Sequence, residues 1–195
     1  MTQMIKTHVK DPGSAITHFI GMLMAIFAAV PLLIKAMHEP SRIYVISIAV
    51  YAVSLILLYA ASTTYHTFDR SKKVNTILKK IDHMMIFVLI AGSYTPICLL
   101  VLKNRTGIIL LSIVWGIAIL GITLNAIDLK KFSKISVACY LLMGWAILSE
   151  IEPLRANLAP GGIALLVWGG VVYTVGAILY GIGSKVKYFH SIFHF

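Results

Sequence analysis

Residues 43–65 read IYVISIAVYAVSLILLYAASTTY, a stretch that contains no Asp, Glu, Lys or Arg. A helix needs about 20 mostly apolar residues to cross the hydrocarbon core of a bilayer, and this stretch is long enough. It lacks the apolar–polar alternation of strands in a membrane β-barrel. Because backbone polar groups in lipid must be satisfied within the segment, the stretch predicts a membrane-spanning helix.

The rest of the chain repeats this pattern. Six apolar stretches predict full spans, and a seventh is too short, since eight helical residues extend about 12 Å against a core of about 30 Å. The predicted helices are 16–34, 43–65, 81–102, 107–127, 135–149, 161–183 and, in part, 188–195. The expected fold class is an all-α integral membrane protein, a single domain over 1–195. It would form a seven-transmembrane helix bundle whose seventh helix is truncated in this sequence.

The composition of the 195 residues supports this assignment, with 59% hydrophobic and only 12% charged residues. Soluble domains carry about 25% charged residues, so an ordinary soluble enzyme is excluded, as are disordered and collagen-like chains. The net charge of +10 indicates basic loops that face anionic lipid headgroups, and no nucleic-acid partner is expected. Cys98 and Cys139 both lie in apolar stretches, which argues against a disulfide framework.

The distribution of Lys and Arg predicts the orientation. Twelve lie in the N-terminal stretch and in the connections that share its side of the membrane, and five lie on the other side. Cytoplasmic loops are enriched in Lys and Arg, so the N-terminus is expected in the cytoplasm. The expected location is the cell (plasma) membrane, as a multi-pass protein without a cleaved signal peptide.

Few ionisable residues lie at the predicted spans, and such residues usually mark a function. His66 closes the second span, Asp82 opens the third, and His190 and His194 lie in the seventh stretch. The predicted topology places all four at one depth near the cytoplasmic face. Because helical residues four apart share a face, His190 and His194 can bind one metal ion together.

Three histidines with an open or water-filled fourth position are typical of catalytic zinc. His66 would supply the third nitrogen, and Asp82 an oxygen, directly or through a bound water. The alternative is that each histidine is an ordinary interfacial residue at a helix end. Ser62 faces the same way as His66 and either positions substrate or bonds back to its own helix. His18 is an additional candidate ligand or substrate contact, or a packed histidine, and His83 is expected to be a neighbour of the site.

Several motifs together resemble the hemolysin III branch of the PAQR superfamily, which includes the adiponectin and progestin receptors. The resemblance covers nearly the whole chain. Its markers are Thr17-His18-x-x-Gly21, Ser62-x-x-Tyr65-His66-x-Phe68, Asp82-His83 through Ser93-Tyr94-Thr95-Pro96, Tyr140-Leu141-x-Met143-Gly144-Trp145, Gly169-Gly170-x-x-Tyr173-x-x-Gly176 and His190-x-x-Phe193-His194.

The resemblance implies seven helices, a cytoplasmic N-terminus and Zn(2+) near the cytoplasmic face. When the family's motifs are matched to this sequence, the implied zinc ligands are His66, His190 and His194, with Asp82 nearby. Ser62 is the serine of the family's S-x-x-x-H pattern. The superfamily also contains alkaline ceramidases, which suggests hydrolysis of lipid amides. This sequence departs from the family in one respect, because its seventh apolar stretch is too short for a full helix. If the chain ended at Phe195, His190 and His194 would be held poorly.

Three functions remain open from the sequence. The first is a zinc-dependent membrane hydrolase of a lipid amide or ester, in which Asp82 acts as general base and Ser62 positions the substrate. The second is a non-enzymatic protein with a structural metal, either a lipid sensor or homeostasis factor or a cytolytic hemolysin. The third, a transporter or ion channel with a histidine proton relay, ranks last because the histidines cluster at one face. Membrane lipid is the expected substrate or ligand.

Overall fold

The computed structural model describes residues 9–183, with side chains up to Ala177. This part of the chain is helical throughout, without strands, and five of its helices are long and apolar enough to cross a membrane. The seventh apolar stretch, 188–195, lies outside the described residues. The elements are α1 (Pro12–Met37), α2 (Arg42–Thr67), α3 (Lys72–Pro96), a π-helical turn (Ile97–Leu102), α4 (Arg105–Trp145), a 3-10 turn (Ala146–Glu150), α5 (Ile151–Asn157) and α6 (Pro160–Gly183).

Short polar residues cap the starts of three of these helices. Ser41, Ser71 and Asn104 have extended backbones, and their side-chain oxygens accept hydrogen bonds from the first turns of α2, α3 and α4. Such caps satisfy amide groups that a helix leaves without partners at its N-terminus. Lys103 ends the π-helical turn in the left-handed region, with φ of 50°. The connections between the first four helices are therefore tight.

The third helix begins well before the apolar stretch that predicts it. It starts at Lys72, whereas the predicted span starts at Ile81. The additional turns carry lysines that water or lipid headgroups can solvate, and hydropathy detects the apolar part of a helix and not its whole length. The helix also continues past Pro96 as a π-helical turn to Leu102.

The fourth helix folds back on itself at Asp128, whose backbone is non-helical (φ −149°, ψ 96°). Ser136 Oγ donates to Asn125 Oδ1 at 2.6 Å, although eleven residues of a straight helix would separate them by about 16 Å. The Asp128 carboxylate caps the returning helix, because Oδ1 accepts from the amides of Lys130 and Lys131. We call residues 105–127 the first arm of α4 and 129–145 the second arm.

The two arms contain the predicted spans 107–127 and most of 135–149. The connection expected between them is helical apart from Asp128, so the lysines at 130, 131 and 134 lie on the second arm rather than in a loop. Beyond Trp145 the chain continues as the 3-10 turn and the short helix α5, which the apolar pattern did not predict.

The core lies between α3 and the two arms of α4. Phe87 is fully buried, and its ring contacts Tyr140 of the second arm at 4.4 Å between ring centroids. A Cβ on Gly121 of the first arm would lie 2.1 Å from the same ring, so only glycine allows this approach. The Tyr94 hydroxyl donates to the Met143 carbonyl and accepts from the Ile147 amide at 2.9 Å. Phe87 and Tyr94 therefore fix α3 at the centre of the bundle.

Candidate functional site

His66 is the most buried ionisable side chain at the polar end of α2, with 2% of its surface exposed. Its Nδ1 lies 3.0 Å from Oδ2 of Asp11, the residue that precedes α1. Two backbone hydrogen bonds hold the same segment in place, from Asp11 N to the His66 carbonyl at 2.9 Å and from Lys10 N to the Thr67 carbonyl at 3.4 Å. The chain entering α1 is thus fastened to the end of α2.

The Asp11 carboxylate determines which nitrogen of His66 can act as a ligand. A carboxylate accepts hydrogen bonds, so it favours the tautomer that carries the proton on Nδ1. The lone pair then lies on Nε2, which is buried. Histidines that bind metals almost always donate their other ring N–H to a carboxylate or carbonyl, and this contact orients the ring and increases its basicity.

His18 of α1 stacks on the His66 ring, with centroids 5.7 Å apart and planes 16° from parallel. The Tyr59 ring of α2 also lies near His18, with ring centroids 6.0 Å apart. A Cβ on Gly21 would lie 2.7 Å from the Tyr59 ring, so this glycine lets Tyr59 approach α1. The motif Thr17-His18-x-x-Gly21 therefore brings the His18 imidazole onto His66.

Two further polar residues, Ser62 and Asp82, lie at this end of the bundle. We call the group formed by Asp11, His18, Ser62, His66 and Asp82 the polar end. Ser62 is buried one turn before His66 on the same face of α2. Asp82 is 14% exposed on α3, and its carboxylate is close enough to His18 to interact with the ring electrostatically. His83 lies beside Asp82, with Nδ1 3.7 Å from Oδ2, and its Nδ1 contacts the Lys79 carbonyl at 2.9 Å.

The sequence-predicted residues are thus brought together only in part. His18, Ser62, His66 and Asp82 lie at neighbouring ends of α1, α2 and α3, whereas His190 and His194 lie outside the described residues. Between residues 9 and 183, no three His, Cys, Asp or Glu side chains come close enough to bind a metal ion. The ligand set predicted from the sequence therefore stays a prediction.

Asp11 is the residue that the sequence reasoning missed. It immediately precedes Pro12, the proline at the start of α1, and charge near a helix start is unremarkable in a sequence. The sequence did offer one indication. Asp11 is one of only seven acidic residues, and the predicted topology places it on the same side of the membrane as His66. The contact itself depends on the packing of α1 against α2, which no local pattern reports.

Comparison with known proteins agrees with the helical architecture and the motifs at this end of the bundle. The profile of the family described as Haemolysin-III related matches residues 6–195. The chain belongs to the haemolysin III family. It is 43% identical over 185 residues to the Hemolysin-3 homolog of Bacillus subtilis, a match that covers 95% of this chain and 86% of the relative. It is 40% identical over 194 residues to Hemolysin-3 of Bacillus cereus, covering 100% of this chain and 86% of the relative. Family and apolar helices together identify a multi-pass membrane protein.

Proposed function

We propose that this haemolysin III protein is a zinc-dependent hydrolase that acts on a lipid amide or ester within the membrane. His66, His190 and His194 would bind the metal, and Asp82 would contribute an oxygen directly or through a water. The observation that supports this most directly is the 3.0 Å contact between Asp11 and the buried His66, the arrangement typical of a metal-binding imidazole.

The described residues fit zinc in their chemistry. Zinc takes neutral imidazole nitrogens and carboxylate oxygens, and His66 and Asp82 are donors of these two kinds at neighbouring helix ends. The remaining two nitrogens come from the resemblance to the PAQR superfamily, which places His190 and His194 in the ligand set. The same resemblance supports a seven-helix bundle with a cytoplasmic N-terminus, and the plasma membrane is the proposed location.

Each polar side chain at this end has a task in the proposed reaction. When bound, zinc polarises a carbonyl and makes water a better nucleophile near neutral pH. Asp11 would hold the His66 ring through Nδ1, which leaves Nε2 as the nitrogen that could bind zinc. Asp82 accepts the proton of the attacking water, and the Ser62 hydroxyl positions the substrate carbonyl. His18, stacked on His66, keeps that ring from rotating.

Metal content tests the proposal. Detergent-purified protein should contain about one zinc per chain by mass spectrometry, and His66→Ala should lose it. Asp11→Asn should keep the fold and weaken zinc affinity about 10–100-fold, because the ring loses its carboxylate partner. His38→Ala is the matched control, since His38 is exposed and its Nδ1 contacts only the Ile34 carbonyl in its own helix. Equal zinc in the wild type and in His66→Ala would refute this ligand assignment.

Turnover separates the enzyme from a protein with a structural metal. Fluorescent lipid amides and esters in mixed micelles should be hydrolysed by the wild type, and Ser62→Ala should lower turnover about tenfold with zinc content unchanged. Full zinc occupancy without turnover across lipid classes would favour the non-enzymatic sensor or homeostasis protein.

Cytolysis is a second candidate, supported by the name Hemolysin-3 of the Bacillus cereus relative. Purified protein would then lyse red cells at doses at which an unrelated multi-pass protein has no effect. Lysis that persists in a zinc-free His66→Ala protein would show that this activity does not use the histidine site.

A further inference from the structure

An open groove of about 400 Å³ lies beside the polar end of the bundle. The start of α1, the end of α2 and the first turns of α3 form its walls. We call it the lysine groove, and its lining residues are Lys10, Tyr65, Lys72, Asn75, Thr76 and Lys79. We propose that the lysine groove binds the phosphate-bearing headgroup of an anionic lipid.

The groove carries positive charge that the described part of the chain does not neutralise. Between Tyr65 and Lys80 the sequence has five basic residues and one acidic residue, Asp69. The ion pairs within residues 9–183 involve Asp11, Asp82 and Glu152, and none of them includes a groove lysine. The groove therefore holds ammonium groups without a carboxylate in contact, which is the environment that a phosphate prefers.

The Asn75 and Thr76 side chains of the groove already make hydrogen bonds within the protein, and the three lysines supply its positive charge. Asn75 donates to the Asp69 carboxylate at 2.8 Å and accepts from the Arg70 amide at 3.0 Å. The Thr76 hydroxyl donates to the Lys72 carbonyl at 2.8 Å. The interaction with a ligand would accordingly be ionic, and its strength should follow charge more closely than side-chain shape.

Lys10 is held over the groove in a defined position. Its ammonium lies 3.4 Å from the centroid of the Tyr65 ring, a cation–π contact. The backbone amide of Lys10 is bonded to the end of α2, as described above. One of the three cations is thus fixed in place before any ligand binds, which lowers the ordering cost of binding.

An exposed apolar side chain near the lysines favours a lipid over a soluble anion. Ile77 follows Thr76 on α3 and is 47% exposed. A second depression adjoins the groove, shares Lys72 and Thr76 with it, and includes Ile77. An amphiphile can therefore place its phosphate among the lysines and the start of its acyl chain against Ile77.

The groove is adjacent to the histidine site along the chain. Lys10 precedes Asp11, and Tyr65 precedes His66, so the backbone that positions the histidine also lines the groove. The proposal does not depend on a metal or on hydrolysis. It narrows the general expectation of anionic lipid at basic loops to one place on the molecule.

Native mass spectrometry of the detergent-solubilised full chain tests the proposal. The protein is equilibrated with equal amounts of phosphatidylglycerol and phosphatidylcholine, and retained lipid is counted per chain. The wild type should retain mainly phosphatidylglycerol. Lys72→Gln with Lys79→Gln should lower this preference about tenfold or more, because the pair removes two of the three cations of the groove.

The matched control is Lys130→Gln with Lys131→Gln, which removes the same charge from exposed positions on the second arm of α4. This pair should keep the preference, and so should the charge-preserving pair Lys72→Arg with Lys79→Arg, which also reports on folding. Equal losses in the two glutamine pairs would show diffuse surface charge and overturn the groove. Complete displacement of the lipid by excess inorganic phosphate would show a soluble-anion site and overturn the lipid assignment.

Discussion

The helices α3 and α6 are both apolar enough to cross a membrane, yet they differ in how much of their surface other helices cover. The span Lys72–Leu102 has a mean hydropathy of 2.3 and 44% of its apolar window buried within the protein. The span Pro160–Ala177 has a mean hydropathy of 1.4 and none of its window buried. The less apolar helix is thus the more exposed one. Hydropathy therefore identifies helices that can lie in lipid. The shape of the helix surface determines which of them packs at the centre of the bundle.

Small residues at the contacts produce this difference. A Cβ on Gly92 of α3 would lie 2.3 Å from Ser54 Oγ of α2, so the two helices approach closely there. Around Gly169 of α6, in contrast, the described residues place no neighbouring atom within 4 Å of such a Cβ. Lipid tails are as apolar as leucine, so helices in a membrane associate through close packing rather than through hydrophobic burial.

The largest effect should come from filling the closest approach to α3. Gly121→Leu would force a side chain into the space of the Phe87 ring, and overpacking of this kind costs about 2–3 kcal/mol. We expect a clear drop in melting temperature, measured by size-exclusion chromatography after heating in detergent. Gly169→Leu makes the same chemical change on the exposed face of α6 and should leave the melting temperature nearly unchanged. Equal drops would show that α6 is buried as deeply as α3.

A smaller effect should follow from removing one hydroxyl from α3. Tyr94→Phe leaves the Ile147 amide without its acceptor and removes one of two donors to the Met143 carbonyl, and a buried polar group left unsatisfied costs about 1–3 kcal/mol. Thr174→Val on α6 removes the acceptor of the Trp145 indole N–H, at 3.0 Å and in an exposed position. Denaturant titration should show a loss for Tyr94→Phe at least twice that for Thr174→Val. The reverse order would contradict the central place of α3.

The smallest effect concerns the contact between α3 and the fold-back of α4. The Lys80 ammonium donates to the carbonyls of Ala126 at 2.7 Å and Ile127 at 3.1 Å, where the first arm ends. A cation at a helix C-terminus contributes about 0.3–1 kcal/mol. Lys80→Met should accelerate amide hydrogen exchange at the start of the second arm, whereas Lys73→Met, exposed on the same helix, should not. Unchanged exchange in Lys80→Met would mean that the contact adds no stability.

The sequence predicted the helical membrane architecture and the family, because long uncharged stretches and dense motifs are local properties. It placed the start of α3 too late, since Lys72 to Lys80 form helix outside the apolar stretch. It expected a loop where only Asp128 departs from helical geometry, because clustered lysines suit a solvated helix as well as a turn.

The sequence predicted which residues belong to the candidate site, but it did not predict the contacts between them. His66, Ser62 and Asp82 stood out because polar residues are scarce at the spans. The pairing of Asp11 with His66 joins residues 55 positions apart, and the stacking of His18 on the same ring requires Gly21 and Tyr59 to meet. Such contacts follow from how two helices pack, which the order of residues along either helix does not specify.

The bond between Asp11 and His66 also has a consequence for biogenesis. Asp11 immediately precedes α1 and His66 lies in α2, so both residues precede α3 and α4 in the chain. A ribosome-bound fragment that ends in the connection after α2 already contains the imidazole, its carboxylate and the stacked His18. The Asp11–His66 contact and the stacking of His18 can therefore form in the first helical hairpin during synthesis, before α3 adds Asp82.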